Sequence, residues 1–271
     1  MDSSNRPDRR PCALVTGASS GIGAALAQEL ARRGHDLVLS ARSLAPMERL
    51  ADELRALGAA ATIVPANLAE RGAASALARE IAAVGIEIDV LVNNAGLGAI
   101  GRFTGIRPLR HAEIMQVNIA ALTELTQALL PAMLARGRGR IMLVASTASF
   151  VPCPNMAVYA ASKAYVRSFG EALAQELRGS GVAVTVLCPG TTATEFFAVA
   201  GSLPSPLQAR RMMTAEKVAR IGCRGLFSGE RVTVAGTLNR VLAFAATHAP
   251  HWLTLPAVAR TMVQDFTSPR S

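Results

Sequence analysis

Tyr159 and Lys163 stand four residues apart in the segment Tyr-Ala-Ala-Ser-Lys, within a stretch whose apolar spacing predicts a helix. On a helix that spacing places both side chains on one face. The chain has only two tyrosines and two lysines, so the meeting of one of each at this interval calls for explanation. An ammonium beside a phenol stabilises the phenolate and lowers its pKa toward neutrality, which makes tyrosine usable as a general acid or base. The plainer reading is an ordinary contact on a helix surface.

A second constellation is Thr16-Gly17-Ala18-Ser19-Ser20-Gly21-Ile22-Gly23, between an apolar strand, Ala13 to Thr16, and a helix, Gly21 to Arg33. Such glycines let the backbone turn sharply and approach a pyrophosphate, while the helix N-terminus offers unpaired N–H groups and a positive dipole end. A glycine-rich turn alone is commonplace. Its place between strand and helix in the first βα unit makes it a dinucleotide loop, with TGxxxGxG spacing rather than the GxGxxG of larger dehydrogenases. At the end of the second strand, a cofactor with a free ribose 2′-hydroxyl calls for an acidic residue. This chain has Ala41-Arg42-Ser43 there. A guanidinium can pair with a 2′-phosphate and stack on adenine, and the Ser43 hydroxyl can add a hydrogen bond. NADP(H) is therefore expected over NAD(H); the alternative is a surface arginine in an arginine-rich chain.

Together these residues resemble the short-chain dehydrogenase/reductase family, over Cys12 to Phe197. Further segments stand in the family's order: Asn93-Asn94-Ala95-Gly96 after the fourth strand, Asn118 in a long helix, and Ser146 thirteen residues before Tyr159. Pro189-Gly190 follows the sixth strand, with Thr192 and Thr194 just beyond. The resemblance implies that Tyr159 protonates a carbonyl oxygen, or deprotonates the alcohol in reverse, while Ser146 orients that oxygen. It implies that Lys163 holds the nicotinamide ribose and tunes Tyr159, and that Asn118 positions a relay water. Asn94, Ala95 and Gly96 would line the cofactor, and Pro189 to Thr194 would close over its carboxamide. Where the family commonly has Asp and an aliphatic residue, this chain has Asn67-Leu68, whose amide can still donate and accept near adenine. Segments such as NNAGLGAIGRF and CPGTTATEF resemble a bacterial branch of broad or unassigned specificity, similar to reductases of hydroxysteroids and fatty acyl chains.

The elements that must position these groups alternate regularly. Apolar runs at Leu37–Ser40, Thr62–Val64, Val90–Val92, Arg140–Ala145 and Val182–Leu187 read as strands. Helices are expected at 43–57, 69–84, 108–136 and 155–178. Strands apolar on both faces and joined by helices mean a parallel sheet covered on each side. The expected fold is a single doubly wound, Rossmann-type α/β domain over 12–271, with about seven strands, after a flexible tail at 1–11. The region 191–213 reads as a substrate loop with short helical pieces. Thr214 is expected to cap a helix to Phe227, ahead of a short strand at 232–234. The apolar segment 237–266, broken at Pro250 and Pro256, reads as a cover or a subunit contact, with membrane-surface docking the less favoured reading.

Composition bounds the function. Of 271 residues, 51% are apolar and 17% charged, which excludes extended disorder. The 28 basic residues against 19 acidic give a net charge of +9, but all except Lys163 and Lys217 are arginines spread along the chain. With one tryptophan, two tyrosines and eight phenylalanines, the chain lacks a base-stacking surface, and no nucleic-acid partner is expected. Four scattered cysteines form no CxxC pair, so neither a zinc site nor another metal is expected, and the compartment is reducing. No apolar signal core and no unbroken spanning run appear, which points to the cytoplasm.

Around the expected nicotinamide mouth stand Leu97, Phe103, Phe150, Val151, Pro152, Phe196 and Phe197. Nothing between Ser146 and Tyr159 could clamp a carboxylate, so the expected substrate is a lipophilic ketone or aldehyde, or its alcohol. Cys153 lacks a partnered base and is no nucleophile. The helices at 108–136 and 155–178 resemble the family's subunit interface, so a homodimer or homotetramer is expected. A non-catalytic NADP(H)-sensing or scaffold protein is the alternative, though a sensor has no need of the acid/base pair. A sugar-nucleotide epimerase or dehydratase fits less well, given the loop spacing and the short region after Gly190.

Overall fold

The computed structural model describes residues 9–200, 209–210 and 212–261. Its main sheet is built from Cys12–Thr16 (β1), Asp36–Ser40 (β2), Ala61–Ile63 (β3), Val90–Asn93 (β4), Gly139–Val144 (β5) and Val182–Cys188 (β6). Two-residue strands Thr192–Ala193 (β7) and Met213–Thr214 (β8) pair apart from it, and Val232–Val234 (β9) completes it. All seven main strands are parallel, in the order β3-β2-β1-β4-β5-β6-β9. The order reverses between β1 and β4. In such a sheet the loops beyond β1 and β4 part, and a crevice opens at the carboxyl ends of the strands.

Side-chain alternation divides the core into two layers. Leu14, Leu91, Ile141, Leu143, Val184 and Val186 point to one face, where they meet helices Ala73–Ala83 (α3), Pro108–Met115 (α4), Leu122–Ala135 (α5) and Ala157–Glu176 (α6). Val15, Leu39, Val92, Met142 and Leu187 point to the other, against Gly21–Arg32 (α1), Leu44–Ala56 (α2) and Ala215–Ser228 (α8). A four-residue helix, Phe196–Val199 (α7), lies above the sheet edge. The chain ends in Thr237–His248 (α9) and His251–Thr261 (α10).

Several elements differ from their expected form. The helix predicted from Ala69 begins at Ala73, because Asn67 turns the chain: its Oδ1 accepts the Ala69 N–H and its carbonyl accepts the Glu70 N–H. The long helix holds a six-residue π-helical segment, Gln116–Ala121, between α4 and α5. By length and composition alone this 28-residue run, Pro108–Ala135, suits a membrane span, contrary to the expectation of none. It packs on α3 and α6, and 39% of its apolar window is buried. Pro256 lies inside α10 and does not break it; the break falls at Ala249-Pro250. Thr214 Oγ1 accepts the Lys217 N–H and caps α8 as expected. Arg9 and Arg10, expected in a flexible tail, are docked: Arg9 on Asp89 at 2.8 Å and Arg10 on the Gly34 carbonyl at 3.2 Å. The rest of that tail, 1–8, lies outside the described residues, as do 201–208 and 211 of the substrate loop and 262–266 of the terminal segment.

Candidate active site

The loop after β1 is shaped by what cannot fit beside it. Gly17 has φ +64°, and a Cβ there would lie 2.9 Å from the Ala95 Cα. A Cβ on Gly23 would lie 2.2 Å from the Gly17 carbonyl oxygen. These contacts draw the loop tightly under the start of α1. Ser20 caps α1 without a side-chain hydrogen bond, so no side-chain acceptor occupies the first-turn N–H groups. The loop is tied across the crevice as well. Thr16 Oγ1 accepts the N–H groups of Asn94 and Ala95, both at 3.1 Å. Asn94 Nδ2 donates back to the carbonyls of Thr16, at 2.9 Å, and Gly17, at 3.2 Å. Asn94 is thus a clamp between β1 and β4 besides lining the cleft. Thr16 opens the TGxxxGxG run, but its clamping role is not legible there, since its partners are nearly eighty residues away.

Arg42 and Ser43 lead into α2 at the far end of the same cleft, and both are exposed. Arg42 has no hydrogen bond or ion pair among the described residues. Leu68 is buried, and Asn67 Nδ2 donates to Glu70 Oε1 at 2.8 Å. The Asn67 amide is therefore engaged in its own turn.

The opposite end is built from β5 and α6. β5 ends at Val144, two residues before Ser146, whose Oγ accepts the Ala148 N–H at 3.1 Å. That bond fixes the hydroxyl oxygen and leaves its proton to donate. Tyr159 and Lys163 rise from the first two turns of α6, both buried. Lys163 Nζ donates to the Val144 carbonyl at 2.8 Å and sits 5.9 Å from the Tyr159 ring centre. Burial pushes the Tyr159 phenol up to about 12, and the Ser146 hydrogen bond works in the opposite direction. Burial also pushes the Lys163 ammonium down to about 8. The expected drop of the tyrosine toward neutrality is absent here: burial is the largest influence on the phenol, and the Lys163 ammonium is itself destabilised by burial and bonded to the Val144 carbonyl.

Every predicted cofactor position lines this one cleft: Gly17, Ser19, Ser20, Gly21, Ile22, Gly23, Arg42, Ser43, Asn67, Leu68, Asn94, Ala95, Gly96, Tyr159, Lys163, Pro189, Gly190, Thr192 and Thr194. Ser146 lines it too. Asn118 stands behind it, fully buried in the π-helical segment. Its Oδ1 accepts the Leu97 N–H at 2.8 Å, and its Nδ2 donates to the Leu97 carbonyl and to Ser162 Oγ, each at 2.9 Å. Both N–H groups are used, so the side chain pins the strand-four loop to α6, and a second lone pair of its Oδ1 stays available as an acceptor. Among the described residues no group of His, Cys, Asp and Glu side chains could hold a metal.

The apolar side is smaller than expected. Leu97 and Phe196 line the cleft, with Phe196 5.2 Å from the Tyr159 ring. Gly98 gives Phe196 its room, since a Cβ there would lie 2.5 Å from the Phe196 Cζ. Val151, Cys153, Met156, Phe196 and Val258 cluster around Tyr159. Pro152 is exposed and outside the cleft. Phe150 turns away beneath the Arg167 guanidinium, 4.4 Å from its ring, and Phe103 stacks on His111 at 4.8 Å, mostly exposed. The Phe197 side chain lies outside the described residues.

A loop closed to side chains at Gly17 and Gly23, a helix N-terminus without a side-chain acceptor, an arginine unpaired among the described residues and a buried Ser–Tyr–Lys cluster along one cleft fit a nicotinamide dinucleotide. Residues 11–202 match the short chain dehydrogenase family. The ketoacyl reductase HetN of Nostoc sp. is 37% identical over 177 residues, 65% of this chain and 62% of that one. A short-chain dehydrogenase from Sphingobium yanoikuyae, solved with NADPH, superposes with a TM-score of 0.78 at 30% identity, covering 96% and 98% of the two chains. A short-chain dehydrogenase/reductase from Burkholderia phymatum, solved with NAD, does so with a TM-score of 0.77 at 26% identity, covering 90% and 94%. Fold, ordered motifs and matched length agree: the chain belongs to the short-chain dehydrogenase/reductase family of nicotinamide-dependent oxidoreductases.

Proposed function

We propose that this protein interconverts a lipophilic ketone or aldehyde and its alcohol, with NADP(H) as cofactor and Tyr159 as general acid/base. The observation that carries the reading is the buried cluster of Ser146, Tyr159 and Lys163 in the same cleft as the glycine loop. When bound, the cofactor supplies or accepts the hydride. In reduction, Tyr159 gives its proton to the substrate oxygen as the carbonyl carbon gains hydride; in oxidation it takes that proton back. Ser146 turns its hydroxyl proton to the same oxygen and so fixes the reacting geometry. Lys163, held by the Val144 carbonyl, keeps positive charge at the phenol and offers donors to the ribose hydroxyls. Phe196, Val151 and Met156 exclude water on the substrate side.

Arg42, unpaired among the described residues, and the lack of an acid at the second strand's end support NADP(H) over NAD(H). The four free, buried cysteines support the cytoplasmic compartment read from the sequence. A homodimer or homotetramer through α4–α5 and α6 is supported by exposed Leu109, Met115 and Tyr165 on those helices.

The test is a substrate panel with NADPH and NADH. Hydrophobic ketones should consume NADPH, and NADPH should bind more tightly than NADH. Turnover of short charged hydroxy acids alone would contradict the substrate class, and tighter NADH binding would contradict the cofactor.

A further inference from the structure

Helix α7 has four residues, too few to persist on its own hydrogen bonds, so other groups must hold it in place. Its two ends are fastened differently. At the start, the Phe196 N–H donates to Thr194 Oγ1 at 3.4 Å, and Thr194 abuts the glycine loop, where a Cβ on Gly21 would lie 2.9 Å from its Cγ2. At the end, the last carbonyls of so short a helix need partners from elsewhere. The Ala200 carbonyl accepts the Ile100 N–H at 3.2 Å, and the Val199 carbonyl accepts from Arg110 Nη2 at 3.3 Å. The same nitrogen donates to the Gly98 carbonyl at 2.9 Å, while Glu113 Oε2 holds Arg110 Nη1 at 3.1 Å. A guanidinium nitrogen of this kind carries two hydrogens, one for each carbonyl. From the first turn of α4, Arg110 thus clasps the end of α7 to the loop after β4.

The side chain that this clasp positions is Phe196. Gly98, whose carbonyl Arg110 holds, is also the residue that makes room for the Phe196 ring. That ring lies 5.2 Å from the Tyr159 ring and packs in one cluster with Cys153, Met156 and Ile100, the residue that fastens Ala200. Gly98, Phe196 and Val199 line the cleft, while Arg110 stands behind them. Its side chain is 20% exposed and its guanidinium is spent on Glu113, Gly98 and Val199. It therefore acts through the backbone of the wall and not on a bound molecule. The planar fork suits this work, because it holds two carbonyls and a carboxylate in one fixed arrangement. We propose that Arg110 is a positioning residue that sets the substrate-side wall of the cleft, clasping α7, and with it Phe196, beside Tyr159. Its effect on turnover rests on the reading of this cleft as a ketone site; the clasp itself is tested without any substrate.

Cys153 serves as the probe. It is buried in the Phe196 cluster, whereas Cys12, Cys188 and Cys223 are buried in the two layers of the main core. The full chain is pulsed with iodoacetamide, and labelling of each cysteine is followed by peptide mass spectrometry. In Arg110→Met, which keeps the length and loses the donors, Cys153 should react about tenfold faster while the other three stay within about twofold. With NADPH and acetophenone, KM should rise about tenfold while kcat changes by less than about threefold. Arg110→Lys retains a point-like donor and should recover part of both effects. Should Arg110→Met fail to fold, Glu113→Gln loosens the guanidinium and should give the same pattern at smaller size. Labelling of Cys153 at the wild-type rate, or equal acceleration of all four cysteines, overturns the clasp. A fall in kcat with KM unchanged overturns its part in the substrate wall. Faster labelling of Cys153 in a chain that turns over no ketone supports the clasp and counts instead against the ketone reading.

Discussion

The two ends of the cleft are made differently. At the glycine loop the protein offers backbone: Gly17 and Gly23 leave no room for a side chain, and Asn94 and Thr16 serve to hold main-chain groups in place. At α6 it offers side chains, with a hydroxyl, a phenol and an ammonium buried together. A site of backbone fails through steric change and tolerates little variation of shape. A site of side chains fails through chemical change, and its members can be altered with the fold intact.

Tyr159→Phe keeps the ring, its contact with Phe196 and the volume of the cluster, and removes only the acid. Turnover should fall about a thousandfold while NADPH affinity and stability hold, as stopped-flow and calorimetry would show. A parallel fall in NADPH affinity would mean that the two ends are not separable. Gly23→Ala is the converse. Its methyl must displace the Gly17 carbonyl, so stability should drop by about 3 kcal/mol and NADPH binding should be lost. Unchanged urea unfolding with normal binding would show a loop looser than its geometry. Arg42→Ala sits at the exposed rim, where loss of a charge-assisted contact should weaken NADPH about tenfold and leave NADH unchanged. Equal losses for both would remove the 2′-phosphate from its role.

The smallest effect concerns Lys163 and proton linkage. Burial lowers its pKa from 10.5 to about 8 in the folded chain. Between these values the unfolded chain holds the extra proton, so stability contributed by this group rises with pH. Against Lys163→Met, the wild type should gain about 1 kcal/mol from pH 8 to 9, read from paired denaturant curves. The comparison cancels the four cysteines, whose buried thiols are pushed up to about 11 or 12 and work in the opposite sense above pH 9. A flat difference would mean that Lys163 is better solvated than its setting implies. The same titration predicts that kcat/KM for reduction declines above about pH 8, as the ammonium is lost.

Much of this molecule is legible in its sequence. The strands of the main sheet are apolar on both faces, and that pattern survives folding because each face meets a helix layer. The cofactor positions lie where their spacing puts them, since strand ends and loop glycines fix the crevice locally. What was hidden depends on distant partners. Nothing near Asn118 signals a π-helical segment, or an amide bonded to Leu97 and Ser162. The pairing of Thr192–Ala193 with Met213–Thr214 is too short to show a period. Phe150 reads as a pocket residue by position, yet Arg167, one α6 turn beyond Lys163, draws it away. The phenol's pKa is set first by burial, which depends on the whole cluster and is not visible from its nearest charge.

The central claim is hydride transfer at this cleft, and isotope transfer tests it most directly. NADPH deuterated at the reactive nicotinamide carbon is incubated with a hydrophobic ketone, and the alcohol is examined by mass spectrometry. Deuterium at the carbinol carbon with the wild type, and almost none with Tyr159→Phe, is the predicted result. Alcohol formed without the label, or label transferred equally by both proteins, would contradict the account.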